Sequence, residues 1–218
     1  MEDLDTDMAQ PLSRVKKITK GRRGGPFIIL ERPALAPYVI GVITAWSHTE
    51  VALGRILAHI LHTESSVGLQ MYLSLVGGAQ RRAVLRGAAE RGLTGKDLSL
   101  FNVVMKAIKP IGERRNDFAH GLWGIAEELP DALLWDSADT DLEDYEKGLK
   151  QSGLQSDDTL VYRENDLIRC KTDAQEAVML VHNFGTLLYP GYHYAHDGAR
   201  RTLSTLPLLV KHGGLPTE

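Results

Sequence analysis

"YVIGVITAWSHTEVALGRILAHILH", residues Tyr38–His62, decides the fold class. Its apolar residues Val39, Ile43, Trp46, Val51, Leu53, Leu57, Ile60 and Leu61 recur near the three- and four-residue intervals that line one face of an α-helix. The run predicts one helix of about 25 residues. It is apolar enough to lie at the centre of a helical core.

Helical periodicity continues downstream. After a break at Thr63–Val67, "GLQMYLSLV" predicts a short apolar helix, and "AQRRAVLRGAAERGL" another with Arg81, Arg82, Arg86 and Arg91 on its polar side and Gly92 as C-cap. "GKDLSLFNVVMKAIKPIGERRNDFAHGLWGIAEE" keeps the period through Leu98, Phe101, Val104, Met105 and Ile108, and Pro110 is expected to kink or split it. Past Glu128 the period shortens. "DALLWDS" and "TLVYREN" predict two strands of a hairpin, joined by the acidic stretch Asp139–Asp158. In "NDLIRCKTDAQEAVMLVHNFGTLL" the residues Leu167, Cys170, Ala174, Val178, Val181, Phe184 and Leu188 mark an amphipathic helix, with Asn165 as N-cap. A short helix is expected near Ala199–Leu206, and no internal repeat supports a solenoid.

The expected fold is mainly α: a helical bundle with a small inserted two-strand β-hairpin. Residues 1–34 read as a charged arm, flexible or extended, in which "FIIL" docks as an extended segment. Residues 35–190 read as one helical domain, with hairpin and acidic connection at about 131–164, and residues 191–218 as a C-terminal extension.

Composition narrows the function classes. The 218 residues are 43% hydrophobic, yet no run of eighteen uncharged apolar residues occurs, so no membrane span is expected. A net charge of −3 sets up no global field for nucleic acid. Charge is nonetheless segregated: four acids lie in Met1–Asp7, followed by Arg14, Lys16, Lys17, Lys20, Arg22 and Arg23 with no acid before Glu31. Such a run is either a solvated tail or an RNA phosphate contact. The single cysteine, Cys170, excludes an internal disulfide and a thiolate zinc cluster; with no apolar segment after the N-terminal charges, it points to the cytoplasm.

Chemistry is concentrated in "RRNDFAHGLWG", Arg114–Gly124. At about 100° per residue, Asn116 and His120 share one helical face, and Trp123 is expected to continue that stripe. Arg115 and His120 diverge by about 140°, so one straight helix does not aim both at one small ligand. Either the long arginine stem curls round, or a second copy supplies the complementary group across a two-fold axis.

Arg115-Asn116-x-x-x-His120 late in a helical chain resembles the signature of the HEPN superfamily. The resemblance rests on Arg114–Gly124; the surrounding helices agree with it by fold class alone. It implies a site at a homodimer interface that in many members cleaves RNA without a metal or other cofactor. By position it makes Arg115 and His120 the catalytic pair, Asn116 their polar companion, and Arg114 and Asp117 supporting polar residues. It further implies a defence or toxin role with a protein antitoxin or regulator as partner. Members paired with a nucleotidyltransferase antitoxin often carry a tyrosine two residues after the histidine; here Leu122 stands there, without the hydroxyl such a modification needs.

The residue types suit that chemistry on their own. Histidine serves as base or acid near neutral pH, and arginine holds phosphate oxygens through parallel hydrogen bonds. Two other readings stand beside it. In one, the domain is a non-catalytic module binding RNA, a nucleotide or a protein; in the other, Asn116 and His120 bond each other and nearby backbone, stapling the fold.

Elsewhere the signals are weaker. His59 with His62, and His193 with His196, have the spacing of paired metal ligands but no evident third ligand. Ser47, His48 and Glu50 are neighbours without the strained nucleophile turn of a serine hydrolase, and "GRRGG" lacks the context of a phosphate loop. Arg81, Arg82, Arg86 and Arg91 read as a solvated stripe or an RNA-facing one, and Trp46, Trp123 and Trp135 as core or interface anchors.

Overall fold

The computed structural model describes residues 9–15, 18, 22–138 and 158–215. The chain is mainly α-helical with one small antiparallel sheet. In chain order the elements are β1 (Gln10–Pro11), α1 (Leu12–Val15), β2 (Arg22–Gly24), a 3₁₀ turn (Ile28–Glu31), α2 (Ala36–Ile60), α3 (Ser65–Ser74), α4 (Gly78–Gly92) and α5 (Gly95–His120). There follow β3 (Leu122–Ala126), β4 (Leu129–Asp136), β5 (Leu160–Arg163), α6 (Glu164–Leu188), a second 3₁₀ segment (Pro190–Ala195), α7 (His196–Thr205) and α8 (Pro207–Lys211). The chain divides into two compact units, residues 1–43 with 113–172 and residues 44–112 with 173–218. The sequence had read as one helical domain.

The first unit holds the sheet, in the order β1-β5-β4-β3-β2, with every pairing antiparallel. The expected hairpin is present as β4 and β5, in register Leu133↔Tyr162 and Leu134↔Val161. Three further strands extend it, two of them from the segment read as a charged arm. The reason is burial on both faces. Leu134, Val161, Ala126 and Ala132 pack with Leu12 and Ile18 of the arm, which are 0% and 2% exposed. On the other face Trp123 and Tyr162 meet Phe118 of α5, with ring centroids 5.1 to 5.8 Å apart. "FIIL" is a 3₁₀ turn rather than an extended segment, with Ile28 buried and Phe27 and Leu30 exposed. The acidic connection lies almost entirely outside the described residues.

The second unit is helical. Phe101 of α5 and Phe184 of α6 meet at 6.2 Å, and Leu53, Ile56, Leu57, Leu85, Val104 and Leu180 of the same unit are buried. Gly68 of α3 lies so close against Ala58 of α2 that a Cβ there would overlap it. Arg81 is not on a solvated stripe: its Nη1 donates to Glu50 at 2.6 Å, while Nε and Nη2 donate to the carbonyls of Leu75 and Leu73. Glu50 also accepts from Trp46 Nε1 at 3.1 Å, so the carboxylate beside Ser47 and His48 serves packing. Arg86 and Arg91 remain exposed.

Of the alternatives at Pro110 the split is absent, and the start of α6 is closed by a residue other than the expected one. α5 runs through Pro110 without splitting; Pro110 is on its exposed side, where water can serve the carbonyl that the missing N–H leaves. α6 begins at Glu164, and Asp166 rather than Asn165 closes its start by accepting the Arg163 backbone N–H at 2.8 Å.

Candidate functional site at the end of helix α5

The motif occupies the last two turns of α5. A helix leaves its final carbonyls short of intrahelical donors, and here two tryptophans donate to carbonyls of the last turns. Trp135 Nε1 donates to the carbonyl of Asp117 at 2.8 Å, which also accepts the Gly121 N–H at 2.8 Å. Trp123 Nε1 donates to the carbonyl of Phe118 at 3.0 Å. Trp123 and Trp135 face each other across the β3–β4 pairing. Trp123 therefore does not continue the Asn116–His120 stripe: the helix stops at His120, and Trp123 sits in a strand packed on Phe118 and Tyr162. Gly121 permits this ending, because a Cβ there would overlap the Trp135 indole nitrogen.

The polar residues of the motif take little part in holding this end. Asn116 and His120 are both exposed on the face they share, and no hydrogen bond joins them among the described residues. Arg115 is half-buried; its Nη1 donates to the Asn116 side-chain oxygen at 3.1 Å, and its Nε is buried without a hydrogen-bond partner among the described residues. Arg114 turns inward, with Nη1 3.7 Å from the sulfur of buried Cys170. Desolvation pushes the Asp117 carboxyl above its ordinary range; Arg114 opposes this and Glu113 reinforces it. The structure thus brings Arg115 to Asn116, and leaves Arg115 and His120 on diverging sides of one helix.

Of the basic arm, Lys16, Lys17 and Lys20 lie outside the described residues. Arg22 and Arg23 are in β2, their backbones paired with Ala126 and Ile125. The paired histidines do not gather ligands: His59 packs on Tyr189 at 4.6 Å, and His196 Nε2 lies 3.1 Å from the Tyr189 carbonyl oxygen. Among the described residues no group of three or more His, Cys, Asp or Glu converges as a metal site, and no helix is long and apolar enough to cross a membrane.

Comparison with known proteins gives no match. No family model fits the sequence, and neither curated proteins nor solved structures show a significant resemblance.

One feature of the site escaped the sequence. Beside the end of α5, a groove of about 630 Å³ has Gly24, Gly25, Ile29, Ala119, Gly121 and Asp136 in its lining. Its walls come from segments about a hundred residues apart, and only the glycines around the motif hinted at close backbone approach.

Proposed function

We propose that the chain is a metal-independent endoribonuclease of the HEPN type, with a site completed by a second copy of itself. The observation that carries this reading is that Asn116 and His120 stand exposed on one face while indole donors, not these residues, hold the helix end. The stapling role that would explain a buried Asn–His pair is already filled. Polar side chains that the fold does not use remain for a ligand.

In the proposed reaction a 2'-hydroxyl of RNA attacks the adjacent phosphorus as one imidazole takes its proton. The P–O5' bond breaks, and the second copy's imidazolium protonates the leaving 5'-oxygen. Arg115 neutralises charge on the phosphorane oxygens. The products are a 2',3'-cyclic phosphate and a free 5'-hydroxyl. Two copies of the α5 end are needed because one helix carries a single histidine and points its arginine elsewhere.

The test is RNA cleavage in EDTA by the wild type and by His120→Ala, with product ends identified and the oligomeric state measured in parallel. Cleavage lost in the variant, together with a dimer, supports the assignment. Cleavage retained by His120→Ala rejects it, and RNA bound but uncut at every pH between about 5 and 9 assigns a binding module instead.

A further inference from the structure

A row of touching rings lies at the surface of the second unit. Tyr189 is its anchor: the ring packs on His59 at 4.6 Å, the hydroxyl is 3.1 Å from the Ser65 hydroxyl, and the carbonyl oxygen is 3.1 Å from His196 Nε2. Tyr192 rests on Tyr189 at 5.5 Å, Tyr194 stands edge-on to Tyr192 at 6.3 Å, and His193 meets Tyr194 at 6.1 Å. Burial fades along the row. Tyr189 is half-buried, Tyr192 is 48% exposed and Tyr194 77%. The fold gains little from two large rings left so far in water.

Their surroundings select the chemistry of a partner. In residues 191–198 no aliphatic side chain exceeds the methyl of Ala195, so the segment offers rings and polar tips rather than the aliphatic groove that a partner helix fills. The chain as a whole carries −3, yet residues 190–211 hold Arg200, Arg201 and Lys211 against the single acid Asp197. His196 directs one face of α7 to Tyr189, and Arg200, four residues on, shares that face and is exposed. Aromatic faces beside fixed cations match a polyanion built of flat, apolar-faced units: unpaired bases on a phosphate backbone. In a duplex those faces are covered by neighbouring bases.

We propose that Tyr192, Tyr194 and Arg200 form a binding surface for single-stranded RNA, in which unpaired bases stack on the two tyrosine rings and the guanidinium holds a phosphate. The RNA reading supplies the identity of the polymer, and on that point the surface rests on it. These residues belong to the second unit, whereas Asn116 and His120 belong to the first. The surface holds the strand and takes no part in cleavage.

The test follows the fluorescence anisotropy of a labelled single strand of about twelve 2'-O-methyl nucleotides, whose blocked hydroxyls prevent cleavage, as the full chain is added. Tyr192→Ala and Tyr194→Ala are each expected to weaken binding about tenfold, and Tyr194→Phe, which keeps the ring, to leave it unchanged. Arg200→Gln lowers the affinity and reduces the slope of log affinity against log salt by about 0.7. The same strand in a duplex binds about tenfold more weakly or worse. Melting temperatures near that of the wild type show that the variants are folded.

No saturable binding of the single strand up to about 100 µM, full affinity in the double variant Tyr192→Ala with Tyr194→Ala, a loss in Tyr194→Phe equal to that in Tyr194→Ala, or duplex binding as tight as single-strand binding overturns the surface. Single-strand binding without cleavage of ordinary RNA in EDTA supports the surface and rejects the nuclease. Cleavage with binding untouched by the tyrosine substitutions does the reverse.

Discussion

The indole Nε1–H of Trp135, on strand β4, donates to the main-chain carbonyl of Asp117 on helix α5 at 2.8 Å. A residue eighteen positions away thereby adds a second donor to a carbonyl at the helix end that also accepts the Gly121 N–H. Replacing Trp135 with Phe keeps an aromatic ring and removes the donor. The expected cost is about 1 kcal/mol, the net worth of one such hydrogen bond, read as a lower denaturant midpoint at unchanged slope. An unchanged midpoint would mean that the indole contributes only packing.

His120 is at the other limit. It is exposed and has no hydrogen bond among the described residues. His120→Ala is expected to shift stability by no more than about 0.5 kcal/mol, while RNA cleavage in EDTA disappears. A loss of about 2 kcal/mol or more would make the residue structural.

Gly68 tests the second unit. Its α-carbon faces Ala58 so closely that the methyl of Gly68→Ala would overlap the Cα and Cβ of Ala58. Helix propensity alone favours alanine by about 1 kcal/mol, but forcing α3 off α2 costs about 1 to 3 kcal/mol. Net destabilisation is expected in thermal melts. A stabilised variant would show that the crossing yields without cost.

His59 gives a pH dependence. Burial lowers its pKa below the ordinary 6.5; His62 adds to this and Asp97 opposes it. The folded state then binds fewer protons than the unfolded state, so stability rises with pH. The contribution is complete above 6.5 and is lost as pH falls from there through the lower folded value. His212, also lowered by burial and then by Lys106 and Lys211, acts with the same sign. The melting temperature of the wild type should fall between about pH 7.5 and about pH 5, and fall less in His59→Gln. Equal slopes in the two proteins would remove His59 as a cause.

Much of the fold was legible in the sequence where burial repeats locally. The α2 periodicity matches a 25-residue helix in which Val39, Trp46, Leu53, Leu57 and Ile60 are buried. In α6 the marked positions Leu167, Cys170, Ala174, Val181, Phe184 and Leu188 are buried likewise. "DALLW" and "TLVY" fall in paired strands. In the arm, glycines and charges conceal how completely Leu12 and Ile18 are buried, so the sequence does not show that parts of this segment pair in the sheet.

For the site, the sequence by itself determined that Asn116 and His120 share a helical face and that Arg115 points away from His120, because the pitch of an α-helix is a local property. Only the tertiary structure decided where that helix stops, which side chains cap it, and that a groove opens beside it. Those outcomes depend on Trp135 meeting α5 and on the Gly24–Gly25 strand end lying near it, and such meetings are set by pairing and burial between distant segments. A one-dimensional period carries no record of them.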